Sequence, residues 1–203
     1  VAHLLTTGVG GMATTNDPEL RQLMWSYCNH GRREPGTFVF DRLGYSCRPT
    51  ELEAALGLNQ LSSLQEMIDK RRRVAYGLYT HLRVFNDLYV NFHREGANMF
   101  YPILIQEGSS IKKGDLMDHL TKKGVECRDL MPIIGQPCYK GLWNTENGYR
   151  VAKGVNERGF YIGCHQGMTL TDVLDIAEIF RLFLGGSIGE TLSNSVVGNE
   201  SQS

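Results

Sequence analysis

Five cysteines are scattered through 203 residues, an odd number with no C-x-x-C spacing. A secreted disulfide framework is not expected, and reduced thiols in the cytoplasm are. No apolar run approaches the about 18 residues of a membrane-spanning helix, so no transmembrane segment is expected. An excess of one charge sign is lacking too: 21 Lys+Arg stand against 22 Asp+Glu, for a net −1. That excludes the electrostatic footprint of a nucleic-acid or anionic-membrane binder. Metal ligands are not clustered. Cys28-Asn29-His30 supplies only a pair, and a structural zinc takes about four ligands, so no metal is expected. There is no G-x-S-x-G elbow and no Ser-His-Asp signature. Cys164 and His165 are neighbours, so on a strand they point to opposite faces, which disfavours a Cys–His dyad. What is present is ordinary: 41% apolar residues, 9% aromatics and 23 glycines. That is a globular composition, and the chain is long enough to bury a core without staples.

The local signals are clear. Asp17 followed by Pro18 marks a helix N-terminus, and Leu20, Leu23, Met24 and Tyr27 then share one face. Met12 to Thr15 is short and β-prone. Residues 29–47 form a long irregular loop, a length often reserved for function. Thr50 with Glu53 makes a capping box, and helical spacing then continues to about Leu82, which predicts one long helix. Lys70-Arg71-Arg72-Arg73 spreads around that helix and is expected to be a solvated face. Leu88–Phe92 and Met99–Ile105 are expected as strands. A helix over Gly114–Lys123, a short strand over Gly124–Arg128, a short helix over Val151–Asn156 and a strand over Gly159–Gly163 follow. Thr169 or Thr171 starts the last helix, and Val173, Leu174, Ala177, Phe180 and Leu184 form its apolar face. Residues 130–147 are irregular, with Tyr139 and Trp143 expected to pack in the core or a hinge. The second half therefore predicts an α+β layer, a small sheet with helices on one face. The Gly/Ser/Asn-rich segment 185–203 is expected to be disordered.

The chain starts Val1-Ala2-His3-Leu4-Leu5, without Met or a charged leader, and reads as a cut within a longer protein. Next comes Thr6-Thr7-Gly8-Val9-Gly10-Gly11-Met12. Three glycines allow positive φ and close backbone approach, and two hydroxyls add donors. Taken alone, the segment is either a plain turn or an anion cradle.

Together with Thr14-Thr15-Asn16-Asp17, Asn29-His30-Gly31-Arg32, and the long run from Gly44-Tyr45-Ser46-Cys47-Arg48-Pro49-Thr50 to Asn59-Gln60-Leu61, that segment resembles the DegT/DnrJ/StrS family of pyridoxal-phosphate-dependent nucleotide-sugar aminotransferases. Gly124-Val125-Glu126-Cys127-Arg128-Asp129, Gln136-Pro137 and Gly159-Phe160-Tyr161-Ile162-Gly163-Cys164-His165 continue the likeness to about residue 184. The resemblance implies an α/β fold of the fold-type-I pyridoxal-phosphate transferase class. This chain would comprise the end of the large domain with its inter-subunit loop (1–48), a long connecting helix and α+β C-terminal small domain (49–184), and the tail. It implies pyridoxal 5'-phosphate or pyridoxamine 5'-phosphate as cofactor and a nucleotide-linked keto sugar as substrate. It also implies a cytoplasmic homodimer whose active sites are shared across subunits. The family's N-terminal half would hold the aromatic that stacks on the cofactor ring and the acid that pairs with its nitrogen.

The departures bear on the reaction. The family's Schiff-base lysine lies six residues before the acid of its G-E-G-G pattern; here Val9 holds the acid's place and His3 the lysine's. Histidine cannot make that covalent bond, but it can act as a base near neutral pH. A subset of the family, the nucleotide-sugar 3-dehydrases, resembles this arrangement. They use histidine and pyridoxamine phosphate to remove a C3 hydroxyl. The leading function is an aminotransferase acting on a nucleotide-linked keto sugar; the alternatives are a 3-dehydrase using His3 and an inactive homologue that pairs with a partner subunit. The iron–sulfur cluster of some such dehydrases needs about four thiolates, and only Cys28 and Cys47 are near, so none is expected. Ser46 stands where an asparagine reaches across the family's dimer to the cofactor phosphate; it is either a shorter donor there or a loop residue. Arg48 either supports the same loop or pairs with Glu51. Arg128 is a substrate residue or a strand-end cation. His30 and His165 divide likewise between structural roles and, for His165, substrate binding. His3 itself is either the base or an exposed terminal residue.

Overall fold

Three helix starts are written into the sequence as side-chain caps, and the computed structural model, which describes residues 3–130, 136–139, 141 and 148–185, shows these three at their places. Asp17 accepts from the amides of Glu19 and Leu20 at the start of α1 (Pro18–Cys28). Thr50 and Glu53 form a reciprocal capping box on α2 (Glu51–Leu61), and Thr169 and Asp172 form another on the last helix. Each satisfies amides that a helix leaves without partners.

The expected single helix from Thr50 to Leu82 is in fact two, α2 and α3 (Leu64–Leu82). The break falls at Ser62-Ser63, whose hydroxyls donate back to the carbonyls of Asn59 and Gln60. Such local bonds compete with helix continuation, and no apolar periodicity shows it. Met12–Thr15 forms no strand. After α3 come β1 (Leu88–Tyr89), β2 (Phe100–Ile105), α4 (Lys113–Lys122), β3 (Cys127–Asp129), α5 (Arg150–Arg158), β4 (Gly159–Gly163) and α6 (Leu170–Leu184). Trp143, most of the 130–147 stretch and residues 186–203 lie outside the described residues. No described helix is long and apolar enough to cross a membrane.

The chain divides into two compact units. One takes in residues 5–65, the other His3 and Leu4 with the described residues from Glu66 onward, so the boundary falls within α3. In the second unit the four strands form an antiparallel sheet in the order β1-β2-β4-β3. Register and the period of two sort its side chains. Tyr101, Ile103 and Ile105 of β2 share a face with Phe160 and Ile162 of β4, and all five are buried. Against them pack Val74, Leu78 and Leu82 of α3, Leu116 and Leu120 of α4, and Val173 and Phe180 of α6. The other face carries Phe100, Pro102 and Tyr161, with Arg128 opposite Tyr161 in the β3–β4 register.

The expected solvated face at Lys70–Arg73 is corrected at one position. Lys70 pairs with Glu66 and Arg72 with Asp69 near the surface, but Arg71 is fully buried. At helical spacing Arg71, Ala75, Leu78 and Leu82 form one stripe, and that stripe faces the core. The cation is carried inside by its position in the apolar pattern.

The unit of residues 5–65 is organised by hydrogen bonds. Ser26 donates to the Arg32 carbonyl at 2.6 Å, and its own carbonyl accepts from Asn29 and Gly31. Asn29 and Ser46 pair as an isolated bridge. The loop folds back tightly where Gly44 passes Gly31: a Cβ on Gly44 would sit 2.1 Å from the Gly31 nitrogen. Gly57, in mid-helix, is approached by Thr7, whose Cγ2 would lie 3.2 Å from an added Cβ. Gln60 receives the Thr6 amide on its carbonyl oxygen at 3.0 Å and donates to the Thr6 carbonyl.

Candidate active site

The open end of the sheet holds a cavity of about 380 Å³, lined by Met99 and Phe100, Glu126 and Arg128, Tyr161 and Gly163, and Cys164 and His165. Strand parity explains its walls. Arg128 faces the non-core side because Cys127, one residue earlier, shares the side of buried Ile162. Beyond β4 the alternation persists: Cys164 turns inward and is buried, while His165 is exposed. Phe100 and Tyr161 meet across β2 and β4 with ring centroids 4.6 Å apart.

The cavity is mixed in charge. The Arg128 Nη2 donates to Glu126 Oε1 at 2.6 Å and its Nε to the same oxygen at 3.0 Å. The Glu126 carboxylate, first by hydrogen bond and then by charge, holds the Arg128 guanidinium above its ordinary pKa. The His165 Nδ1 accepts from the Gly167 amide at 3.2 Å, so in the neutral ring Nε2 carries the proton and serves as donor. Cys164 is no nucleophile: burial pushes its thiol up to about 11, and its Sγ donates to the Arg71 carbonyl. Cys127 is likewise pushed up to about 11 by burial.

His3 belongs to the same compact unit. Its side chain is exposed, and its carbonyl accepts from the Arg71 Nη2 at 3.4 Å. The Arg71 Nη1 donates to the carbonyls of Met99 at 3.2 Å and Cys164 at 3.1 Å, both cavity residues. Arg128 and His165 are thus brought together, and the backbone of His3 is tied to the cavity's own walls. Ser46 and Arg48 lie exposed in the other unit, and no ion pair of Arg48 is found among the described residues. His30 stands there too, in the left-handed region at φ 65°. Sequence reasoning missed Arg71, Phe100, Tyr161 and Glu126. The spacing of Arg71 to Ala75, Leu78 and Leu82 could have signalled the first. Glu126, two residues before Arg128, shares its side by the strand period of two, whereas Phe100 and Tyr161 are brought to it by sheet register, which nothing local signals.

The donor set bears on the cofactor that the resemblance implies. His3 has no primary amine, so that position offers no covalent tether for an aldehyde, whereas a non-covalently held amine form of the cofactor needs none.

The DegT/DnrJ/EryC1/StrS aminotransferase family model matches residues 1–181. The chain belongs to this family. Among relatives, it is 29% identical over 183 residues to the UDP-4-amino-4,6-dideoxy-N-acetyl-beta-L-altrosamine transaminase of Helicobacter pylori, covering 86% of this chain and 48% of that protein. To the GDP-4-keto-6-deoxy-D-mannose 3-dehydratase of Yersinia pseudotuberculosis it is 26% identical over 194 residues, covering 81% and 48%. The solved E. coli GDP-4-keto-6-deoxy-D-mannose-3-dehydratase with bound hydrated PLP superposes with a TM-score of 0.74 at 23% identity, covering 88% of this chain and 51% of the other. That likeness establishes the α/β fold of the DegT/DnrJ/EryC1/StrS chain. The chain spans about half the length of the relatives it matches.

Proposed function

We propose that this chain is the C-terminal portion of a DegT-family enzyme that removes the C3 hydroxyl from a nucleotide-linked keto sugar, with pyridoxamine 5'-phosphate as cofactor. The observation that carries this reading is His3, a base without an amine, at the family's lysine position and tied through Arg71 to the walls of a cavity that also holds Arg128 and His165. The cofactor, when bound, supplies an electron sink for the sugar carbon. His3 would take one proton onto its imidazole from the amine-bearing carbon of the bound cofactor and hand it to the departing C3 oxygen, which leaves as water. Arg128 binds substrate anion or oxygen through the guanidinium edge not committed to Glu126. The His165 Nε2 donates to the sugar, and Phe100 and Tyr161 close the wall behind it. Ser46 and Arg48 serve the cofactor phosphate across a homodimer. Residues 1–48 then complete the large domain, 49–184 form the connecting helices and small domain, and the protein is cytoplasmic. As a portion of the enzyme, the isolated 203 residues turn over no substrate.

In the complete enzyme, mass spectrometry of a nucleotide 4-keto sugar incubated with pyridoxamine phosphate should show loss of the C3 oxygen, abolished by His3→Asn. A second reading, transamination, is favoured by the Helicobacter pylori relative. It requires a lysine, so cofactor fixed to a lysine peptide by borohydride would overturn the dehydration reading in its favour. Neither cofactor binding nor turnover would mark an inactive partner subunit.

A further inference from the structure

We propose that Arg71 is a positioning residue that holds His3 and the cavity rim in one geometry, an inference that rests on the functional reading of His3 and that cavity. A fully buried guanidinium is costly unless its donors are matched. Here Nε donates to Gln166 Oε1 at 3.0 Å, Nη1 to the carbonyls of Met99 and Cys164, and Nη2 to that of His3. The acceptors are 28 to 95 residues away in sequence. They belong to the start of the chain, the segment entering β2, and the segment leaving β4. Two of them line the cavity, and Gln166 directly follows His165. Gln166 is itself fixed, its Nε2 reaching the Met67 sulfur one helical turn before Arg71. The Cys164 thiol returns a bond to the Arg71 carbonyl, so helix and rim are tied in both directions.

A core apolar residue at position 71 would serve packing equally well. What a planar fork adds is direction: it serves acceptors on three separate segments at once, which lysine's single ammonium cannot do in the same geometry. Without it His3 has no described side-chain donor on its carbonyl, and the rim residues lose a common reference.

The test uses the 203-residue chain without ligand. Backbone order parameters at His3 and Leu4 and the ring resonances of His165 are compared among wild type, Arg71→Lys and Gln166→Leu, with the resonances of Leu116 and Phe160 reporting the core. In wild type His3 should be ordered, near about 0.85. In Arg71→Lys it should fall below about 0.6 and the His165 ring should shift, while the core resonances stay in place. In Gln166→Leu the His165 ring should shift and His3 should stay ordered. Should Arg71→Lys not fold, Gln166→Leu and the wild-type order at His3 decide. A disordered His3 in wild type overturns the inference. So does an unchanged His3 and His165 in folded Arg71→Lys, or an unchanged His165 in Gln166→Leu. Adding GDP or UDP to wild type tests the functional reading separately: failure to move Arg128 or His165 resonances counts against that reading, and the ligand-free comparison still decides the role of Arg71.

Discussion

From Glu66 onward the chain buries Leu78, Ile103, Leu116, Phe160, Ile162 and Phe180 completely, whereas residues 5–65 leave Leu43 93%, Met12 92% and Phe38 79% exposed. Among the described residues of the latter unit only Ser26 and Gly31 are buried. Both units have equally good local structure, since the capping box of α2 matches that of α6. The difference is therefore one of tertiary burial alone. Caps and turns shape a segment, but the stability of a unit comes from the apolar area it removes from water. Residues 5–65 thus keep large apolar side chains in contact with solvent. That accords with the proposal that residues 1–48 complete a larger domain within a homodimer.

The largest test of this contrast is a core truncation. Phe160→Ala should cost about 3–5 kcal/mol, read as a shift of the urea midpoint of the cooperative transition of the β-sheet unit. The next compares the two capping boxes. Thr169→Ala should lower that midpoint by an amount worth about 1 kcal/mol. Thr50→Ala should leave it in place and only speed amide exchange along α2, because α2 buries no residue against a core. A matching loss of midpoint in both variants would break the contrast. Alkaline titration sharpens it further. The Cys164 thiol is raised from 9.0 to about 11 by burial in the folded chain. Its contribution to stability is thus complete below about 9 and is lost as pH rises through about 11, because the unfolded chain ionises first. Denaturation midpoints of the β-sheet unit should decline over that window, and Cys164→Ala should lessen the decline, the part that stays being carried by the Cys127 thiol, which burial also raises to about 11. The smallest effect is expected at Leu43→Ser, within about 0.5 kcal/mol of wild type. Its consequence should instead be reduced binding of a hydrophobic dye; a midpoint loss approaching that of Phe160→Ala would mean that residues 5–65 hide a core of their own.

Much of the fold was legible. Asp17, Thr50 and Thr169 announced their helices, Gly159–Gly163 its strand, and the motifs from His3 to His165 their family. Less of the candidate site was. Arg128 and His165 could be named from the resemblance, but not placed together. Arg71 was hidden by its neighbours: four cations in a row describe a wet surface, and only the stripe through Ala75, Leu78 and Leu82 shows that one of them goes inside. The break at Ser62-Ser63 was hidden for the opposite reason, since apolar spacing runs straight through it while two hydroxyls end the helix.

The sequence by itself determined the helix starts that carry a capping side chain, the alternation of strand residues, and the motifs that place the chain in its family. These are matters of hydrogen bonds and periodicities that act within a few residues. Tertiary structure alone decided that His3, Met99, Cys164 and Gln166 meet on one buried guanidinium. Those groups lie 28 to 95 residues from Arg71 along the chain, and only the packing of α3 against the sheet brings them within bonding distance.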